Sequence, residues 1–471
     1  MLFAKIRTAS SMWLSPPATP LWSSVDKSMI ITPGSRIGCL LILLLVAFSS
    51  LQAQRPPDKF DIARARDMLS VIKDDLRKNY YDVNYHGMDI NARFKAADDN
   101  LKQATSLGQL FGIIAKTLLD LNDSHTFFLP PGRSSRTEYG WQAQMIGDKC
   151  YVVSVKPRSD ADVKGVRPGD EITSIDGTVP TRENMWIFEY LYRALRPRPG
   201  VRLLITKPDG KQQQLDVMAR VEQGKRVLDV SGDDDGSDIF ALIREGENES
   251  HLHRHRYLEV GDDDLFIWKM PEFDLPKDRV DDMASKFKKR KALLLDLRGN
   301  GGGAEETLLR LLGNLLDHDV KVGDLKARKD AKPVIAKSRG ENAFSGKLVV
   351  LIDSSSGSAA ELLARVIQLE KRGIVIGDRS SGAVMRARHF DHQIGTDTVA
   401  FYGASITEAD LIMTDGKSLE HVGVTPDETN LPSAADLAAG RDPVLAYAAS
   451  LVGVTITPEK AGSFFPIEWR K

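Results

Sequence analysis

Two stretches decide the fold: KALLLDLRGNGGG at residues 291–303 and KLVVLIDSSSGSAAELLARVIQLEKRGIVIGD at 347–378. In the first, an apolar run ends at Asp296 and passes into a glycine-rich turn, Asn300-Gly301-Gly302-Gly303, with a helical pattern behind it. In the second, an apolar run ends at Asp353, a loop of small polar residues follows, and a helix-period segment begins near Ser358. Strand-length apolar runs divided by helical segments predict an α/β core with buried parallel strands. The rhythm extends outward through DDLFIWKM at 263–270 and through helices expected over 277–289, 304–316 and 358–371.

The chemistry of these turns is specific in what it allows. Glycines at 301–303 permit positive φ and close backbone approach, and exposed N–H groups there can hold an anion. No Gly-Lys-Ser/Thr follows, so the turn is not a Walker A loop, and the dinucleotide-binding spacing is also absent. A serine at a helix N-terminus has its Oγ beside free N–H groups and the positive end of the helix dipole. The plain alternative is that a serine in this loop only caps the helix.

Toward the N-terminus the pattern changes. Residues 136–222 alternate in CYVVSVKP, turn at Gly165-Val166-Arg167-Pro168-Gly169-Asp170, and close with two strands joined by Pro208-Asp209-Gly210. Residues 59–120 lack proline and place Ile62, Ala65, Met68, Leu69 and Ile72, then Leu107, Leu110 and Leu118, at helical spacing. The stretch LNDSHTFFLPPG ends that pattern. SGDDDGSD at 231–238 does not match a calcium-loop spacing and reads as a solvated loop. His251, His253 and His255 alternate as on one face of a strand, without the carboxylates a metal site would add.

Composition bounds the function classes. With 471 residues the length prior is about three domains. Lys+Arg numbers 64 against 65 Asp+Glu, so no basic excess points to nucleic acid. Only Cys39 and Cys150 occur, which excludes a disulfide scaffold and a cysteine-rich zinc site. Arg36 followed by IGCLLILLLVAF at 37–48 and a small-residue end at Ala53 describes a secretory signal peptide, with residues 1–28 a mis-assigned start before Met29. The alternative is an uncleaved N-terminal anchor. After cleavage near Ala53 the chain carries net charge −4 and one thiol, Cys150, expected on a buried strand.

Val153–Gly177, with Gly165, Pro168-Gly169-Asp170 and Asp176-Gly177, resembles a PDZ domain. Together, DxRGNGGG, SGSAAE and LEHVGVTPDE at 419–428 resemble the C-terminal processing (tail-specific) protease family and its tricorn relatives over roughly residues 58–430. The resemblance implies an α/β, crotonase-like catalytic core with an inserted or preceding PDZ domain and an N-terminal helical domain. The implied boundaries are 1–53 signal peptide, 55–135 helical domain carrying Ser124-His125, 136–222 PDZ domain, 223–435 peptidase core and 436–471 C-terminal tail. In the Ser-Lys branch a lysine follows the serine by some 25 residues. Here that position is Ala383, and Lys371 and Lys417 lie elsewhere. The resemblance therefore implies the Ser-His branch, with Ser358 as nucleophile and His125 as base. Ser124 and Glu420 orient the site, and Gly302 and Ala359 supply the oxyanion hole. Ser356 competes with Ser358, and Asp415 or His421 with Glu420. No metal or organic cofactor is implied. The implied partner is a protein or peptide, captured by its C-terminal tail at the PDZ domain in the periplasm or outside the cell, with no nucleic acid and with membrane contact only through an uncleaved signal. Rival readings are an inactive peptide-binding scaffold of the same fold and a lipid- or retinoid-binding protein.

Overall fold

The computed structural model describes residues 56–132, 135–223, 251–261, 264–329, 331–395 and 399–469. The signal segment with Cys39 and Ala53, and the acidic loop at 231–238, lie outside the described residues. The chain divides into two compact units, one of residues up to Asp74 together with Gly87–Asp120, the other of Asp75–His86 together with Leu121–Lys471.

Helices Lys59–Asn79, Ile90–Leu101 and Leu107–Leu119 occupy the helical stretch read from the sequence. Asp89 caps the second by accepting from the Asn91 and Ala92 N–H groups, and Ser106 caps the third through the Gln109 N–H.

The second unit is built on sheets. A six-stranded sheet runs, edge to edge, Glu428–Thr429, Ile374–Gly377, Lys347–Ile352, Ala292–Asp296, Leu265–Lys269, Arg256–Val260. Its pairings are parallel except the last. Ala292–Asp296 is buried at every position, as a parallel strand covered on both faces requires. One cover is formed by helices Lys277–Phe287, Glu305–Leu315 and Ala359–Leu369, whose apolar faces join one core with Phe266, Trp268, Leu293 and Val350.

The other cover comes from the region expected to be a C-terminal tail. Residues 434–462 form helices Ala434–Ala438, Pro443–Leu451 and Pro458–Gly462. Val444, Leu445, Ala448 and Ala449 pack there against Ile267, Leu294, Val349 and Ile376. Without them the second face of a two-sided apolar sheet would meet water, so the segment is part of the core.

A second sheet contains Phe127–Leu129, Arg386–Ile394, Ala400–Met413, Val320–Ala327 and Ala331–Ala336. Phe127–Leu129 pairs antiparallel with Gly403–Ser405. This pairing corrects the expected boundary: Ser124-His125 belong with the core rather than with the helices, because their strand is completed by residues far along the chain. Residues 141–218 form an antiparallel five-stranded sheet in chain order, Trp141–Ile146, Lys149–Val155, Glu171–Ile175, Gly200–Thr206, Gln212–Met218, with a helix Met185–Glu189 continued by a π turn to Leu195. Cys150 lies buried on its second strand, and burial pushes its thiol up to about 12. The His251–His253 stretch, expected as strand, is a 3-10 turn before Arg256–Val260. His255 instead accepts from Trp268 Nε1 at 3.3 Å and meets Asp274 at 2.7 Å. No cluster of metal-ligating side chains occurs among the described residues.

Candidate active site

The loop that carries Ser358 hangs between a strand and a helix. Lys347–Ile352 ends at Asp353, and Ser358 sits at the N-cap of Ala359–Leu369 with φ 51° and ψ −118°. An N-cap residue is ordinarily extended. Left-handed φ at a serine costs about 1–3 kcal/mol and persists only where surroundings enforce it. Here they do. The Ser358 N–H donates to Ala383 O at 2.8 Å and to Glu361 Oε2 at 3.0 Å.

Glu361 is the clamp of this loop. It is fully buried, and its carboxylate also accepts from Ser380 Oγ at 2.6 Å, Gly382 N–H at 2.8 Å, Ala383 N–H at 2.9 Å and Ser381 Oγ at 3.3 Å. Burial pushes its pKa up, and these donors pull against the rise. Its spacing, three residues after an N-cap serine, is the capping-box interval, a signal from which its structural role could have been read.

Ser356, the rival serine, has its hydroxyl engaged in bonds of its own. It is fully buried, donates to Leu297 O at 2.8 Å, and accepts from the Asp353 N–H at 2.9 Å. Asp353 Oδ1 takes the Gly299 N–H at 2.9 Å and the Ser355 N–H at 3.0 Å, so one carboxylate joins both motif loops.

The glycine turn lies against the serine. A Cβ added to Gly302, whose φ is +107°, would fall 2.5 Å from Ser358 Cβ and 3.1 Å from the Ala359 nitrogen. The structure thus brings Ala359 and Gly302 together. Their N–H groups are not equivalent. That of Gly302 donates to Asn300 Oδ1 at 2.8 Å, whereas that of Ala359, the first of its helix, has no hydrogen-bond partner among the described residues. Gly302→Ala is expected to lower peptidase activity at least about 100-fold, because a displacement of the nucleophile on the ångström scale costs that much. Steady-state kinetics check it, and near-normal turnover would show that the turn does not abut the reacting serine.

His125, Ser124 and Glu420 form a relay. Ser124 Oγ donates to Glu420 Oε2 at 2.9 Å and meets His125 Nδ1 at 2.6 Å. A carboxylate can only accept, so the hydroxyl proton points to Glu420 and Nδ1–H donates to Oγ. This assignment leaves Nε2 with the free lone pair. Glu420 is fixed in turn by the Ser124 N–H at 2.7 Å and the Val384 N–H at 2.9 Å, while burial pushes its pKa up. Ala383 binds Ser358 and Val384 binds Glu420, so one turn holds both the serine and the relay. His125 is half-buried, and burial holds its imidazole below the ordinary value.

Of the alternatives, Asp415, Lys371 and Lys417 make no hydrogen bond or ion pair with this relay among the described residues, whereas His421 Nε2 lies 3.6 Å from Glu420 Oε1 at its outer edge. Asp415 pairs with Arg365 at 2.6 Å. His421 is mostly exposed and meets Asn122 O at 2.9 Å through Nε2. Lys371 is exposed beyond the far end of the helix that Ser358 begins, and Lys417 is exposed in a turn. The sequence reading did not single out Asp123, two residues before the histidine, or the structural role of Glu361.

Residues 267–429 match peptidase family S41. The chloroplastic C-terminal processing peptidase of Tetradesmus obliquus is 24% identical over 365 residues, covering 74% of this chain and 73% of that protein. The tail-specific protease of Haemophilus influenzae is 26% identical over 338 residues, 67% of this chain and 44% of that protein. Among solved structures, mature CPAF complexed with lactacystin superposes with TM-score 0.60 at 16% identity, over 84% of this chain and 98% of that one. That likeness concerns the fold.

Proposed function

We propose that this chain, a serine peptidase whose residues 267–429 belong to family S41, cleaves peptide bonds through a Ser358 acyl-enzyme with His125 as its general base. The observation that carries the reading is the Glu420–Ser124–His125 relay, which frees Nε2 and is fastened to the same turn as the Ser358 N–H.

In this mechanism Nε2 takes the Ser358 proton as Oγ attacks the carbonyl carbon. The Ala359 N–H stabilises the oxyanion, a contribution of about 3–4 kcal/mol per donor. The Gly302 N–H is the second donor, shared with or released from Asn300. The imidazolium then protonates the leaving amine, and water reverses the sequence. Glu420 and Ser124 hold the tautomer and offset the charge that forms on the ring. A neutral imidazole is required, and burial lowers its pKa. The acid limb of kcat/KM is therefore expected below the ordinary histidine value of about 6.5.

The sheet of residues 141–218 reads as a PDZ domain that captures substrate. Its support is a cleft lined by Tyr139, Trp141, Ala143, Met185, Phe188 and Tyr192. Trp141–Ile146 is an edge strand, to which an extended peptide can add as a further strand. Tethering a tail there raises its concentration near Ser358. Export by the segment ending at Ala53 belongs to the same reading. Among the described residues no helix is long and apolar enough to cross a membrane.

The test is cleavage of casein and of peptides with free or amidated apolar C-termini, by wild type, His125→Ala and Lys371→Ala, with folding checked by circular dichroism. His125→Ala is expected to lose at least about 10⁴-fold in kcat, Lys371→Ala to keep wild-type rates, and free C-termini to be preferred. Activity surviving in folded His125→Ala overturns the base assignment. Equal cutting of amidated peptides overturns tail capture. A folded wild type that cuts nothing and resists fluorophosphonate labelling leaves the scaffold reading.

A further inference from the structure

Asp123 stands immediately before the relay and belongs to none of the roles assigned above. It is 5% exposed and has four hydrogen bonds. Oδ1 accepts from the His125 N–H at 3.0 Å, the Thr126 N–H at 2.7 Å and Thr407 Oγ1 at 2.6 Å. Oδ2 accepts from Tyr80 Oη at 2.8 Å. Tyr80 is itself fully buried, and burial together with Asp123 pushes its phenol far up, so it serves only as a donor. Thr126 Oγ1 closes the arrangement by accepting from the Thr407 N–H at 3.0 Å. The carboxylate thereby ties two distant pieces of chain, at Tyr80 and Thr407, to the backbone of His125 and Thr126.

We propose that Asp123 is the positioning residue of the histidine base: its hydrogen bonds fix the backbone from which His125 projects, and its negative charge favours the imidazolium that forms during acyl transfer. The inference rests on His125 being the base. Two other charge centres act on that ring. His389, on the Arg386–Ile394 strand, opposes the imidazolium, and Glu420 reaches it through the Ser124 hydroxyl. Burial lowers the imidazole pKa most, Asp123 raises it, and His389 lowers it. Asp123 is thus a negative charge near the ring that opposes the effect of its burial.

The charge and the scaffold can be separated experimentally. Asp123→Asn keeps an acceptor oxygen for the backbone N–H groups and removes the charge. Its acid limb of kcat/KM is expected to move to lower pH by about half a unit or more, with a lower plateau and little change in KM. The direction follows because losing a negative neighbour disfavours the imidazolium, so the neutral base persists to lower pH. Thr407→Val removes one donor and keeps the charge. It is expected to lower kcat about threefold or more at unchanged KM, with the limb in place.

A folded Asp123→Asn whose activity falls while its limb stays put shows a scaffold without an electrostatic part and overturns the proposal. If Asp123→Asn does not fold, Thr407→Val decides: an unchanged kcat overturns the positioning role. His125→Ala, run beside them, separates the two claims. Activity in that variant removes the base assignment itself, whereas an inactive His125→Ala with an unmoved Asp123→Asn limb removes only the role of Asp123.

Discussion

Ser358→Ala is expected to lower kcat by about 10⁵–10⁶-fold while leaving the fold intact. The first half follows from the lack of a substitute. Ser356 spends its hydroxyl on Leu297 O and on the Asp353 N–H, and it is fully buried. The second half follows from how Ser358 is held. Its backbone N–H is tied to Ala383 O and to the Glu361 carboxylate, its carbonyl accepts from the Glu361 and Leu362 N–H groups, and alanine keeps all of these. Side-chain removal therefore deletes the reacting atom and leaves these backbone ties in place, losing only the hydroxyl half of the capping box. Single-turnover cleavage of a labelled peptide, with loss of fluorophosphonate labelling and unchanged circular dichroism, checks it. A folded variant that still cuts at a hundredth of the wild-type rate or better would place the nucleophile elsewhere.

The largest expected effect on stability belongs to Arg298→Met. Arg298 lies two residues before the Asn300–Gly303 turn and is mostly buried. Its guanidinium meets both oxygens of Asp296 at 2.9 and 2.8 Å and both oxygens of Asp442 at 2.9 and 2.7 Å. Asp296 is 1% exposed, and its remaining cationic partner is Lys269, at 3.2 Å. Removing one member of a buried ion pair strands the other, at a cost of about 3–5 kcal/mol. Methionine fills much of the volume without the charge, so the loss isolates the electrostatic part.

The pH dependence of this loss has a definite sign. In the wild type, burial raises the Asp296 pKa, but Arg298 and Lys269 outweigh it and hold the carboxyl well below the usual range. The stabilisation is present above the unfolded value of about 3.9 and fades only as pH falls toward the depressed one. In the variant the burial effect is no longer outweighed by Arg298. The difference in unfolding free energy should therefore be greatest near neutral pH and shrink on acidification. Urea unfolding of both proteins at neutral and mildly acidic pH measures it. A neutral-pH difference under about 1 kcal/mol would mean that the site relaxes or hydrates to accommodate Asp296.

How much of this was readable follows the range of the interactions. Ala292–Asp296 and Lys347–Ile352 are strands because continuous apolar runs of that length are buried on both faces, and the run itself carries that information. Lys277–Phe287, Glu305–Leu315 and Ala359–Leu369 were legible from apolar spacing within each segment. Ser358, His125 and Glu420 could be named from motifs, although no local pattern says that Glu420 meets Ser124, 296 residues away.

The rest required the folded chain. The histidines at 251–255 alternate as in a strand, yet the backbone turns there, because periodicity in a short polar segment has no buried face to enforce it. The C-terminal helices look like an appendage until the uncovered face of the six-stranded sheet is seen beneath them. The choice between Ser356 and Ser358 depends on which hydroxyl is spent on Leu297, and the engagement of the Gly302 N–H depends on where the Asn300 carboxamide turns. By itself the sequence determined the elements, the peptidase motifs and the absence of a lysine at 383. The tertiary structure alone decided which donor meets which acceptor, since a hydrogen bond of about 3 Å depends on the placement of chain segments hundreds of residues apart.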